Sequence, residues 1–364
     1  MDNEQAFILL GKYNLGECTD AEKALVEQSF MAFNEQDVKI SFQKLQALKS
    51  QIARDLPKPM AKASFVKISI AITSAAAVIA FAVYMLMPRY ENDVKASLHI
   101  AEQIFPKGNQ ALITLSNGKT ISLDQNSKEI KVLRTGLTYA DGSKLLDRPI
   151  EFQTISTPNG GEYTIVLSDG TKVWLNAATV LQYPTSFSER TERRVKLVSG
   201  EAYFEVAKDS EHPFIVSTAD QRLTVLGTHF NINAYTRQIK TVLLEGSVQL
   251  NDQSQEQSAL LKPGEQAIKN GSQFDTSKAD VGLEVAWVNG KIKFRNADIK
   301  MILAEAERWY NIKVIYDADV PKVQLTGGIS RKSSLATLLK LLQMSGIHFS
   351  LNEDNGIKTL TVKS

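Results

Sequence analysis

The sequence predicts a multidomain membrane protein: a small all-α N-terminal bundle, one transmembrane helix, an all-β domain of solenoid or sandwich type, and a C-terminal α+β module of the order β-α-β-β-α-β-β. Three observations predict this class: a charge-free apolar run, alternating stretches separated by Asn-Gly and Asp-Gly turns, and helical periodicity that returns near the C-terminus. The predicted limits are 1–57 for the bundle, 58–67 for a basic linker, 68–87 for the span, 88–109 for a second linker, 110–281 for the β domain and 285–364 for the module.

The first 57 residues have the pattern of short amphipathic helices. Thr19 and Glu22 have the spacing of a capping box, and Val26, Phe30 and Phe33 follow on one face. A later helix carries Val38, Phe42, Leu45 and Ile52 on a similar stripe, and Pro57 ends it. So small a core is marginal alone. The segment either docks on a partner or forms a bundle whose stripes face one another, and spacing alone favours neither.

Ile68–Met87 contains no Asp, Glu, Lys, Arg or His and so carries no charge at neutral pH. As a helix it would be about 30 Å long, the thickness of a bilayer core. A buried core helix and a cleaved signal peptide are the alternatives. The first would normally show a polar face, and the second would need an n-region 67 residues long. Basic residues are denser before the run than after it, which predicts a cytoplasmic N-terminus and a periplasmic C-terminus at the inner membrane.

Charge and cysteine content limit the function classes. The net charge of +2 gives no reason to expect direct nucleic-acid binding. Cys18 is the single cysteine and falls in the predicted cytoplasmic part, so the exported part has to fold without disulfides or a cysteine metal cluster.

The β-rich part begins near residue 110. Residues 111–124 and 163–176 each read as an alternating apolar run, a two-residue Asn-Gly or Asp-Gly turn and a second alternating run, which predicts a hairpin. Further strand-turn-strand units follow around Gly200, Gly227, Gly246 and Gly264. The spacing of these glycines is compatible with a solenoid of stacked turns and with a sandwich.

The C-terminal residues alternate strands with two helices. Asp298 is predicted to cap a helix over Ile299–Tyr310, and a second helix over Ser334–Ser345 ends at Gly346. The predicted strands are Lys291–Arg295, Lys313–Tyr316, Lys322–Thr326, Ile347–Leu351 and Lys358–Val362, the last two forming a hairpin.

No catalytic constellation is evident, so neither an enzyme nor a cofactor is predicted. The four histidines are scattered along the sequence, which disfavours a metal site. Glu201 and Glu205 share one face of a strand, but at ~3.3 Å per residue their backbones lie about 13 Å apart, beyond the 5–9.5 Å range of glycosidase carboxylates. Both are interpreted as solvated strand positions. Trp174, Trp287 and Trp309 are interpreted as core residues.

A series of short motifs runs in order from Val173 to Glu265. It comprises Trp174-Leu175-Asn176-Ala177, Tyr183-Pro184, Phe187, Arg194-Val195-Lys196-Leu197, Gly200-Glu201-Ala202-Tyr203-Phe204-Glu205-Val206, Pro213-Phe214, Val225-Leu226-Gly227-Thr228, Phe230-Asn231, Leu244-Glu245-Gly246-Ser247-Val248 and Pro263-Gly264-Glu265. This segment resembles the FecR family of ferric-citrate-type transmembrane anti-sigma regulators. The C-terminal module, with Arg308-Trp309-Tyr310-Asn311-Ile312, is similar to the short domain of secretins and TonB-dependent transducers.

The resemblance implies a relay. Its cytoplasmic helices would bind an extracytoplasmic-function sigma factor, its periplasmic part would receive a signal from the signalling domain of a TonB-dependent outer-membrane transporter, and an intramembrane protease would act on it. The sigma-binding residues are predicted as Leu25, Val26, Phe30, Phe33, Phe42 and Leu45. The structural motif residues are Trp174, Leu175, Asn176, Gly200, Glu201, Tyr203, Phe204, Gly227, Thr228, Gly246, Pro263 and Gly264. The alternatives are a membrane-anchored envelope protein of structural or carbohydrate-binding type, and a tethered hydrolase.

Overall fold

A computed structural model describes Thr19 and residues 94–146, 152–254, 256–271, 273–317 and 322–363. The chain divides into two compact units, Met1–Ala96 and Ser97–Ser364. In the first unit the described residues are Thr19 and 94–96, of which the last three are helical. The second unit opens with helical residues 97–102, named α1, and consists mainly of strands.

A β domain of 19 described strands makes up most of the second unit. In chain order the strands are β1 (Gly108–Asn109), β2 (Leu112–Leu115), β3 (Thr120–Ser122), β4 (Glu129–Leu133), β5 (Gly136–Tyr139), β6 (Lys144–Leu146), β7 (Phe152–Ser156), β8 (Gly161–Val166), β9 (Lys172–Leu175), β10 (Val180–Pro184), β11 (Arg193–Glu205), β12 (Phe214–Ser217), β13 (Gln221–Val225), β14 (His229–Ala234), β15 (Ile239–Glu245), β16 (Val248–Asp252), β17 (Ser258–Leu261), β18 (Glu265–Asn270) and β19 (Gln273–Lys278).

Eighteen of these strands form two sheets that share β11, and the two-residue β1 pairs in parallel with β8. Sheet I has the order β3-β2-β7-β10-β11-β12-β13-β16-β17, and sheet II has the order β6-β5-β4-β8-β9-β11-β14-β15-β18-β19. After β11 successive hairpins alternate between the sheets. One apolar cluster receives side chains from both, and the rings of Phe204 in sheet II and Phe214 in sheet I lie 6.4 Å apart. Of the two predicted alternatives, the β domain is a sandwich whose hairpins follow one another as in a solenoid.

Gly200 lies where β11 passes from one sheet to the other. Residues on its N-terminal side pair with β10 and β12, and those from Gly200 onward pair with β9 and β14. Gly200 has a φ of +99°, and a Cβ there would lie 2.4 Å from the Cα of Thr179. The crossing therefore needs a residue without a side chain.

The two predicted hairpins are present as β2–β3 and β8–β9. The prediction of two-residue turns is wrong for both. The N–H groups of Leu115 and Leu167 donate to the carbonyls of Lys119 and Thr171, so each loop contains three residues. Its last residue is a glycine at positive φ (Gly118 and Gly170), a geometry that suits three-residue hairpin loops.

The C-terminal module follows a short helix, α2 (Val281–Glu284). Its elements are β20 (Lys291–Asp298), α3 (Ile299–Tyr310), β21 (Lys313–Tyr316), β22 (Gln324–Ser330), α4 (Leu335–Met344), β23 (His348–Asp354) and β24 (Ile357–Lys363). The strands form the antiparallel pair β20–β22 and the sheet β21-β24-β23. This is the predicted order of elements. β20 is longer than predicted and ends at Asp298, and β22 lies further along the chain than the predicted strand.

The buried faces of α3 and α4 agree with their sequence periodicity. α3 buries Ile302, Ala306 and Trp309, and the Asp298 carboxylate accepts a hydrogen bond from the Met301 N–H at 2.8 Å, as a cap should. α4 buries Leu335, Leu338, Leu339 and Leu342. Together with the strands, these side chains form a second apolar cluster that is separate from the one inside the β domain.

The predicted fold class is wrong as a whole. In the part of the chain that the structure describes, strands dominate, no all-α bundle is present, and no helix has the length and apolarity needed to cross a membrane. The longer described helices, α3 and α4, have 12 and 10 residues, and each buries one face in the C-terminal module. The predicted bundle (1–57, apart from Thr19) and the predicted span (Ile68–Met87) lie outside the described residues.

Candidate functional site

The family-motif residues of β9 and β11 meet in sheet II. Tyr203 pairs with Trp174 and Ala202 with Leu175, and the rings of Tyr203 and Trp174 lie 5.3 Å apart. Ala202 and Phe204 point into the apolar cluster of the β domain. Because side chains alternate along a strand, Glu201, Tyr203 and Glu205 lie on the opposite face.

Glu201 is the centre of a buried polar group on that face. It is only 5% exposed, so its interpretation as a solvated strand position is wrong; Glu205 is half-buried. Asn176 Nδ2 donates to one carboxylate oxygen of Glu201 at 2.7 Å, and Asn231 Nδ2 donates to the other at 2.9 Å. The Asn176 N–H also donates to the Glu201 carbonyl at 3.0 Å. Glu201 lines a cavity together with Glu305 and Arg308, so the C-terminal module lies against this part of sheet II.

Arg331 extends this polar group into the C-terminal module. Its Nη2 donates to Asn176 Oδ1 at 2.6 Å, across 155 residues of sequence. The guanidinium carbon lies 3.4 Å from the centroid of the Trp309 ring, and Trp309 Nε1 donates to the Arg331 carbonyl at 3.0 Å. We call Asn176, Glu201, Asn231, Trp309 and Arg331 the junction, since they connect the β domain to the C-terminal module.

A second set of contacts borders the junction. The Tyr235 hydroxyl donates to the Ala177 carbonyl at 2.5 Å, and the Arg308 guanidinium lies 4.0 Å from the centroid of the Tyr235 ring. Arg308 also pairs with Glu305 at 2.8 Å. The Gly160 N–H donates to the Arg308 carbonyl at 2.7 Å. These contacts fix α3 against the β domain on both sides of the junction.

A cavity of about 240 Å³ lies beside Glu201. Charged residues from both modules line it, among them Lys240, Glu284, Arg295, Glu305 and Arg308. Lys240 pairs with Glu284 at 2.6 Å, and Arg295 pairs with Asp280 at 2.7 Å. Most of these charges therefore have an opposite charge beside them, which suits a contact between modules better than a catalytic centre.

The environment of Glu201 changes its acidity. Burial raises the pKa of Glu201 to about 7, and the nearby Glu305 carboxylate adds to the rise. The hydrogen bonds from Asn231 and Asn176 act in the opposite direction without cancelling it. Burial also raises the pKa of Tyr235 and lowers that of Arg331. Glu201 can therefore gain or lose a proton near neutral pH while it lies between two modules.

Other predicted residues lie away from the junction. Gly246 has a φ of +93°, and a Cβ there would lie 2.7 Å from Thr228 Oγ1, so this glycine allows close approach of two chain segments. Gly227 lies in the segment between β13 and β14, and Pro263 and Gly264 lie in the loop before β18. Trp287 and Trp309 are buried, as predicted, whereas Trp174 is partly exposed on the outer face of sheet II.

Some predicted sites cannot be placed. Leu25, Val26, Phe30, Phe33, Phe42 and Leu45 lie outside the described residues. Within the described residues, no group of His, Cys, Asp and Glu side chains has the arrangement of a metal site. Arg331, Asn231 and Tyr235 were not predicted as site residues. Asn231 stands in one of the FecR-like motifs, Phe230-Asn231, whereas no sequence signal marks Arg331 or Tyr235, because their partners lie on distant parts of the chain.

The comparisons with known proteins agree with the motifs. The family model described as FecR protein matches residues 153–249, and the model described as FecR, C-terminal, matches residues 291–359. No curated protein matches the chain. A solved structure assigned as an anti-sigma factor of Parabacteroides distasonis is 30% identical with a TM-score of 0.51 over 58% of this chain and 100% of its own. A second from the same organism, with the same assignment, is 31% identical with a TM-score of 0.50 over 57% and 97%.

The two family models match the β domain and the C-terminal module in the order in which these occur in the chain. The first matched segment contains Asn176, Glu201 and Asn231, and the second contains Trp309 and Arg331, so the junction joins the two matched segments. Together with a 30% identical relative that is covered over its whole length, these matches establish that the chain belongs to the FecR family.

Proposed function

We propose that this chain is an anti-sigma regulator that controls an extracytoplasmic-function sigma factor. The observation that carries the proposal is membership of the FecR family, together with similarity to two solved structures assigned as anti-sigma factors. The geometry adds one point of support: Arg331 of the C-terminal module donates to Asn176 of the β domain, so the two family-matched segments are in direct contact.

The sigma-binding part is assigned to residues 1–57. Leu25, Val26, Phe30, Phe33, Phe42 and Leu45 supply the apolar contacts. Helical spacing places Val26, Phe30 and Phe33 on one face, and an apolar helical face in the groove of a partner is a common mode of recognition. Direct contact with nucleic acid is not part of this function.

The signal-receiving part is assigned to the second unit, Ser97–Ser364. Its proposed partner is the signalling domain of a TonB-dependent outer-membrane transporter. Support comes from the sheet β21-β24-β23, in which β21 and β23 each pair with one strand only among the described residues. Such edges accept a strand from a partner through main-chain hydrogen bonds. In the last step of the proposed relay, an intramembrane protease cleaves the regulator.

The proposed location of the chain is the inner membrane, with the second unit, Ser97–Ser364, on the periplasmic side. It rests on family membership rather than on the described helices. Fractionation of cells that express the full chain, followed by protease treatment of spheroplasts, tests it. Recovery of the chain in the soluble cytoplasmic fraction would contradict it.

The central experiment is co-purification of the full chain with the sigma factor whose gene is its neighbour. We expect a complex, and at least a tenfold weaker one when Val26, Phe30 and Phe33 are each replaced by Asp. A matched variant carries Asp in place of Gln28, Ala32 and Gln36, which helical spacing places off the stripe. Absence of a complex with the native chain, or equal loss in both variants, would refute the assignment.

A further inference from the structure

Residues 97–105 lie on the C-terminal module, although more than 180 residues of sequence separate them from it. We call this segment the strap. Ala101 is fully buried and Ile104 is 3% exposed, and both belong to the apolar cluster of the C-terminal module. Leu98 and Ile100 pack against the same cluster. The strap thus joins the module core before the chain enters the β domain at β1.

Two hydrogen bonds hold the strap at specific places. The Leu351 N–H, on the outer edge of β23, donates to Ser97 Oγ at 2.9 Å. The Leu335 N–H, in the first turn of α4, donates to the Ile104 carbonyl at 2.9 Å. Ser334, the residue that precedes α4, makes no side-chain cap bond. The strap therefore satisfies a donor at a strand edge and a donor at a helix start that the module itself leaves without a partner.

The remaining contacts of the strap are weak. Its outward side carries His99, which is 78% exposed, and Glu102, which pairs with Lys340 at 3.3 Å where both side chains are about half exposed. Exposed pairs of this kind add little stability. Among the contacts of the described residues, the attachment rests on a few apolar side chains and on the hydrogen bonds at Leu351 and Leu335. The bond at Leu351 is accepted by a side-chain hydroxyl, where a neighbouring strand would offer carbonyl groups.

We infer that the strap is a releasable latch: a partner strand that adds to the outer edge of β23 takes the Leu351 N–H from Ser97 and displaces residues 97–105 from the C-terminal module. The inference rests on the proposed function for the identity of that partner, the signalling domain of the transporter. The inference adds that the C-terminal module passes the signal on by releasing this segment. A docked helix resists proteases and an extended, exposed segment does not, so release makes residues 97–105 cleavable.

The first test opens the latch in the full chain without a partner. Ala101→Asp combined with Ile104→Asp places two carboxylates in the apolar cluster, and we expect cleavage within residues 94–106 by added protease to become at least tenfold faster. His99→Asp, on the exposed side of the same helix, is the matched control and should cleave at the native rate. Hydrogen exchange of β8 and β9 reports whether the β domain remains folded.

A milder variant distinguishes release of the strap from general unfolding of the chain. Ser97→Ala removes the hydroxyl alone, so hydrogen exchange at Leu351 should accelerate about tenfold while that at Leu335 is unchanged. Cleavage of the double Asp variant at the native rate, or unchanged exchange at Leu351 in Ser97→Ala, would overturn the latch.

The second test closes the latch. In a Cys18→Ser background, Glu102→Cys and Lys340→Cys are bridged by a short bis-maleimide. Added signalling domain should speed cleavage of the unbridged chain and leave the bridged chain unchanged; equal acceleration in both would overturn the inference. Sigma-factor co-purification is scored separately, so loss of that complex with an intact cleavage response contradicts the proposed function and not the latch.

Discussion

The interior of the β domain and the junction are both buried, but they differ in chemistry. The interior is apolar and is filled by alternating side chains from two sheets, with Phe204 stacked on Phe230 at 5.0 Å between ring centroids. The junction holds a carboxylate, two amides, a guanidinium and an indole. Apolar packing tolerates many neighbours, whereas each junction contact needs one partner in one direction. The interior therefore supplies stability, and the junction specifies how the C-terminal module sits on the β domain.

The largest loss of stability is expected for a substitution inside the β domain. Phe204→Ala removes a fully buried ring that contacts Phe214 and Phe230, and should lower the free energy of unfolding by about 3–5 kcal/mol. Leu260→Ala, on an exposed face of β17, should change it by less than about 0.5 kcal/mol. Urea unfolding of the purified chain measures both. Similar losses for the two variants would show that the cluster is not the main source of stability.

The junction should make the stability of the folded chain depend on pH. The carboxyl group of Glu201 has an ordinary pKa of 4.5 and a raised pKa of about 7 in the folded chain. Between these values the folded state keeps a proton that the unfolded state releases, so stability falls as pH rises through this window. The total change is roughly 3 kcal/mol, since one pKa unit corresponds to about 1.4 kcal/mol.

Glu201→Gln removes the proton exchange and should flatten the pH dependence of stability between pH 5 and 7. Glu205→Gln, two residues along the same face, should leave the slope of the native chain in place. Urea unfolding at pH 5, 6, 7 and 8 tests this. An unchanged slope in Glu201→Gln would mean that another group titrates in this window.

The same contrast explains which features could be predicted from the sequence. The two hairpins, the buried faces of α3 and α4 and the Asp298 cap depend on residues close together in sequence, and the structure confirms them. The surroundings of Glu201 include Glu305 of the C-terminal module, about 100 residues later in sequence, so strand alternation could only predict an outward position. The bond from Arg331 to Asn176 spans 155 residues and leaves no local pattern. The predicted bundle and span lie outside the described residues, so this contrast does not extend to them.

The smallest expected change in the free energy of unfolding comes from a comparison of two helix starts within the C-terminal module. Asp298 caps α3 through its own side chain, so Asp298→Ala should cost about 1 kcal/mol. Ser334 precedes α4 without a side-chain cap bond, and the Leu335 N–H is satisfied instead by the Ile104 carbonyl of the strap. Ser334→Ala should therefore cost only a few tenths of a kcal/mol. Urea unfolding of the two variants side by side is the measurement. Equal costs would mean that Ser334 stabilises α4 directly, and the strap would then contribute less to α4 than its hydrogen bond indicates.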